Sequence, residues 1–350
     1  MKTSISILLA TFLQLAITAR SQVDEPLKLV QTIPLPGLQD GDFDHSAVDV
    51  PGQRLFVAAE ENSAVEVIDL RANKLIHTIT GPKAPHSLAY NSESKKLFVV
   101  DGGNPSQVEI YDGISYESLG AIPMEAHADS SIYDPVGKLF YVGNGGRGAK
   151  EDYCLISVVD TTSGKKVGDI KVDSDRIEAM ALELSGPRLF VNLTAKNALA
   201  VIDRMKRTVI ATWSIAEEGR ANAPLAFDEA GHRLFVVASE PTEINPRHNG
   251  KVIVLDSDSG KIVSTLPGVG QYFSDDAVFD TKSKRLYVAG VPYINVFQER
   301  ANDRYDFVGQ VPVSFHAVTA ILVPELNRYY VPVNHHGDKP AVVQVYELQP

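Results

Sequence analysis

The chain has 350 residues, 44% of them hydrophobic and 22% charged. That is enough apolar material for a large core, and the charges are too evenly mixed for a disordered chain. Acidic residues outnumber basic ones 44 to 33, a net charge of -11, which argues against a nucleic-acid groove or adhesion to an anionic lipid surface, since both require a basic stripe.

Taken in order, the chain opens with a positive charge at Lys2, followed by an apolar run over 5–19 and small residues Ala19 and Ser21 placed for cleavage before Gln22. This reads as a secretory signal peptide, so the rest of the chain, 22–350, is expected to work in the periplasm or outside the cell. No later run approaches the roughly 18 apolar residues of a membrane span. The single cysteine, Cys154, sits in the apolar run YCLISVVD. It is expected to be a buried small hydrophobe, and packing rather than disulfides must supply stability. No G-x-S-x-G nucleophile elbow and no C-x-x-C-H haem attachment occurs.

Residues 27–36, LKLVQTIPLP, form one apolar strand. After it a unit of four short strand-like runs repeats to the C-terminus. A basic residue followed by an apolar strand opens RLFVAAE at Arg54, KLFVVDG at Lys96, KLFYVGN at Lys138, RLFVNLT at Arg188, RLFVVAS at Arg233, RLYVAGV at Arg285 and RYYVPVN at Arg328. Asp or Asn turns precede most copies, as in DVPGQ at Asp49 and DPVGK at Asp134, because these side chains bond the local backbone. A third run ends most often in Asp (VEVIDL, ISVVDT, LAVIDR, VIVLDS), and six copies have a fourth run such as KLIHTITG. A four-stranded repeat of about 40–50 residues is the signature of a propeller blade. The fold is expected to be an all-β, seven-bladed β-propeller. Its last copy has three runs, so the N-terminal strand is expected to complete the last blade.

On these RLFV and RLYV strands, the VIDL, VVDT and VLDS runs and the TSGKKV and DSGKIV turns, the chain resembles the YncE-like family of bacterial secreted proteins with YVTN-type repeats, over essentially all of 22–350. RLFV-type variants stand in place of the YVTN tetrad. The resemblance implies the seven-bladed fold and an extracytoplasmic binding role.

The innermost strand of each blade begins at one mouth of the central channel. Aligned on the turns, the copies place there Asp42, Asp44 and His45; His86 and Ser87; His127 and Asp129; Arg176 and Glu178; Asn222; Asp275 and Asp276; and His316 and Thr319. Loops on the same side add Glu60, Glu61 and Asn62, the segment 144–152, the segment 239–250, and His335 and His336. Ligand binding is expected at Asp42, Asp44, His45, His86, Asp129, Glu178, Asn222, Asp275, Asp276 and His316. Within that set His45, His86, Asp129 and Glu178 are the candidates for a divalent metal ion, the one cofactor the residues suggest, since imidazole and carboxylate are its usual donors. Two functions compete. One is a monomeric binding propeller that takes a small molecule, metal or protein partner on this face. The other is a metal-dependent hydrolase or lyase of the lactonase type, with His45 or His86 as base. Polar strand starts that merely hydrate a channel are the plainer alternative.

Overall fold

In the computed structural model, which describes residues 25–240, 250–269, 273–301, 303–314 and 316–350, the described strands form seven four-stranded antiparallel sheets. Helix is confined to short 3-10 turns such as Glu60–Asn62, and no helix among the described residues is long and apolar enough to cross a membrane. The expected signal peptide and most of 239–250 lie outside the described residues.

Blades one to six occupy 46–80, 85–123, 131–172, 180–214, 225–269 and 273–312, each running from its innermost to its outermost strand in chain order. Blade seven contains Ile321–Val323, Arg328–Val333 and Val342–Leu348, and Leu27–Pro34 pairs antiparallel with Val342–Leu348 as its outer strand. The innermost strands touch one another in cyclic order, Ser46–Asp49 meeting Ile321–Val323, so the ring closes.

The repeated residues each have a physical task. In the second strand, Leu55 and Phe56 point to opposite faces, and both faces are buried because a blade lies on either side. Leu55 packs toward blade seven with Tyr330, and Phe56 packs toward blade two with Leu97 and Val99. The described apolar core falls into seven such clusters, one at each blade boundary. The Asp that ends the third strand accepts from two amides of the following turn: Asp69 from Arg71 and Ala72, Asp112 from Ile114 and Ser115, Asp160 from Thr162 and Ser163. Asn91 and Asp134 do the same for the turn between the first and second strands, where Asp49 accepts from the Gly52 amide.

The basic residue that opens the second strand fastens its blade to the next. Arg54 reaches Gly113 O and Tyr116, Lys96 reaches Thr162 O at 3.1 Å, and Arg188 reaches Ser257 O at 2.5 Å. Arg233 pairs with Asp303 at 2.6 Å, and Arg285 reaches Gln349 O at 2.5 Å. Arg328 instead pairs within its own blade with Glu347, and Lys138 reaches back to Glu93 of blade two.

One of these fasteners sets a pH dependence. Arg188 holds Glu183 through hydrogen bonds that depress its carboxyl below the usual range, against the opposing effect of burial. A depressed folded pKa stabilises fully above the unfolded carboxylate value of about 4.3, and that share is lost as pH falls through the folded value. The gap in urea midpoint between the natural protein and Glu183→Gln should therefore shrink as pH drops from about 6 to about 3. A gap that stays constant across that window would refute the assignment. Cys154 is buried, and burial pushes its thiol up to about 11, so it is a neutral packing group at neutral pH.

Candidate functional site

The mouth is assembled by the segment leading into blade one. Phe43 is buried in the cluster between blades seven and one, which anchors the residues around it at the channel opening. The Asp44 amide donates to Ala58 O at 2.9 Å, and the His45 amide donates to His86 O at 3.1 Å, joining the heads of blades one and two.

Irregular pairing aims the next donors. In blade two the register shifts between Pro85 and Leu88, and in blade six it shifts between Ser274 and Asp276. Neighbouring residues on a regular strand point to opposite faces; a bulge frees them from that rule. Asp275 and Asp276 can accordingly both address His45.

Asp44 lies at the centre. Its Oδ2 is 2.7 Å from His86 Nδ1, and its Oδ1 is 3.3 Å from His45 Nε2. His86 Nδ1 also lies 3.8 Å from Asp129 Oδ1, while its Nε2 faces Glu60 Oε1 at 3.8 Å. His45 Nδ1 faces Asp276 Oδ1 at 3.3 Å, and Asp276 is itself fixed by accepting from the Ala320 amide at 2.9 Å. Two three-residue groups converge closely enough to hold a metal ion: Asp44, His86 and Asp129, and Asp44, His45 and Asp275, the donor atoms of each within 4.8 Å of one another.

The electrostatics follow from five carboxylates around two imidazoles. Burial alone would lower His86, but the Asp44 hydrogen bond and the charges of Asp129, Asp44 and Glu60 lift it to about 9. Burial likewise opposes protonation of His45, and Asp276 and Asp44 outweigh it, leaving His45 well above the imidazole range. For Asp44 burial disfavours the charge, yet the two imidazoles hold its carboxyl below the usual range. Asp129 is raised by burial and then by the Glu178 charge; Glu60 is pushed up to about 7, chiefly by burial. Among the described residues of this cluster, carboxylates outnumber imidazoles five to two.

The other expected residues are distributed differently. Glu178 is engaged by Arg176 at 2.7 Å and belongs to neither three-residue group. Asn222 is fully buried, donating to Asn192 Oδ1 at 2.7 Å and Ala198 O at 3.0 Å, so its amide lies inside the protein rather than on the open mouth. Asp42 forms a separate, partly exposed cluster with His316 at 3.0 Å and the buried Asn334 at 2.5 Å, and His335 pairs with Asp40 at 2.5 Å on the rim. Asp44 is the common member of both metal-competent groups, although spacing alone left it outside the metal set. Glu60 appears in sequence only as a loop acid. Beside Asp129 opens a cavity of about 160 Å³, lined by His127, Asp129, Arg147, Cys154, Asp175 and Arg176.

No protein-family model matches the chain, and no curated protein matches it. Among solved structures it is similar to the hydrazine synthase of Kuenenia stuttgartiensis, with TM-score 0.73 and 16% identity over 89% of this chain and 98% of that one. It is also similar to a chain of the mitotic checkpoint complex (TM-score 0.73, 13% identity, 100% and 99% covered) and to U3-55K (TM-score 0.73, 11% identity, 92% and 100% covered). Identities this low carry the β-propeller fold and no function.

Proposed function

We propose that this chain is an extracytoplasmic binding propeller of the YncE-like kind whose channel mouth holds a divalent cation at Asp44, His86 and Asp129 and receives its ligand on that face. The observation that supports it is the convergence of one imidazole and two carboxylates within 4.8 Å, in a mouth where acids outnumber bases. A cation relieves that repulsion, and nitrogen with carboxylate oxygen suits a metal such as Mn²⁺ or Zn²⁺. The adjoining cavity of about 160 Å³ suits a small molecule. The extracytoplasmic setting rests on the amino-terminal sequence.

The test is metal content after chelator treatment and dialysis against Mn²⁺ or Zn²⁺. Stoichiometric metal, with the equivalent held at His86 lost in His86→Ala, is the expected result; no bound metal under replete conditions overturns the reading.

A second reading, a metal-dependent hydrolase or lyase acting on lactones, is favoured by Glu60. Its carboxyl, pushed up to about 7 and 3.8 Å from His86, is poised to exchange protons near neutral pH. Turnover on a lactone panel that falls in Glu60→Gln would select it. No turnover, or turnover indifferent to Glu60, leaves the binding role.

A further inference from the structure

We infer that Asp44 is the bridging carboxylate of a two-cation centre, with His86 and Asp129 completing one side and His45 and Asp275 the other. The inference rests on the cation reading above and extends it from one ion to two.

The first support is that the two donor groups share Asp44 alone, and each carries its own imidazole and its own second carboxylate. The two oxygens of Asp44 are already divided between them, Oδ2 toward His86 and Oδ1 toward His45. A carboxylate splits its oxygens in this way when it serves two centres. Its rotamer is held as well, because Oδ1 also accepts from the His45 amide at 2.8 Å.

The second support is independent of that grouping. A metal-bound histidine commonly offers its other ring nitrogen to a carboxylate, which orients the ring and raises its basicity. Both imidazoles have this arrangement. His45 presents Nε2 to Asp44 and Nδ1 to Asp276, at 3.3 Å each. His86 presents Nδ1 to Asp44 and Asp129 and Nε2 to Glu60 at 3.8 Å. Each ring has an inner nitrogen aimed at the shared carboxylate and an outer nitrogen aimed at an acid absent from both donor groups. Asp276 and Glu60 are thus positioning residues, one for each side.

The experiment is a titration of chelator-treated full-length protein with Mn²⁺, counting bound ions by the loss of the free-ion electron paramagnetic resonance signal. The natural protein should bind two equivalents and show the broadened spectrum of a coupled pair. His45→Ala and Asp275→Asn should each bind one equivalent with a mononuclear spectrum, and so should His86→Ala. Asp44→Asn should weaken both sites by about 10-fold or more. One equivalent in the natural protein, lost in His86→Ala and indifferent to His45 and Asp275, overturns the two-cation centre and leaves the single-ion reading standing. Two equivalents that persist undiminished in Asp44→Asn overturn the bridge. No bound Mn²⁺ at all removes the single-ion reading, and this inference with it. Should Asp44→Asn fail to fold by far-ultraviolet circular dichroism, the His45→Ala and His86→Ala counts decide alone.

Discussion

Deleting residues 1–36 is expected to leave a chain that no longer holds a stable ring. The deletion removes Leu27, Ile33 and Leu35, each at most 1% exposed, from the clusters that join blade seven to its two neighbours. At about 1.5–3 kcal/mol for each buried apolar side chain, the loss is about 5–9 kcal/mol before any ladder hydrogen bond is counted. Most domains have only about 5–15 kcal/mol in total. The deletion also bares the edge of Val342–Leu348, which then invites pairing with other chains. Urea unfolding followed by the fluorescence of Trp213 should show a large fall in midpoint, with aggregation on refolding. Ile33→Ala, a milder change at the same place, should cost about 2–5 kcal/mol. A truncated chain with the midpoint of the full one would refute this account of ring closure.

The second large effect is expected at Arg204. This residue follows the third strand of blade four and reaches back to the Asp134 carboxylate of blade three, which is 1% exposed. It also donates to Glu183 O at 2.9 Å and Gly186 O at 2.8 Å. Arg204→Ala strands a buried carboxylate, a change that costs about 3–5 kcal/mol. The cause can be isolated, because Asp134→Asn keeps an oxygen for the amides of Val136 and Gly137 while removing the charge. In that background Arg204→Ala should cost much less, its remaining penalty being the two carbonyl contacts. Equal penalties in both backgrounds would show that the charge pair is not the source.

The repeat made the blades legible from sequence, because each repeated residue answers a local requirement. Asp69, Asp112 and Asp160 bond amides two and three positions ahead, and Leu55 and Phe56 alternate as any strand must. The basic residues were visible as markers, but their role was not, since Gly113, Ser257 and Gln349 are distant partners that only the closed ring brings within reach. The site was legible as a ring of polar strand starts and no further. Asn222 looks like its neighbours in the alignment, yet its side chain turns inward to Asn192. Asp275 and Asp276 owe their shared access to His45 to a register shift that no periodic pattern announces. Glu178 is claimed by Arg176 two residues before it, a local pair that the metal assignment passed over.

The basic fasteners have a consequence for how such a chain can change. They sit where second strands begin, at the opposite end of each blade from the mouth, where second strands finish. Among the described residues, the hydrogen bonds of Asp44, His45 and His86 and those of the fasteners go to separate partners, and substitutions in the two sets should combine additively. Selection can rewrite what the molecule recognises without renegotiating what keeps it closed.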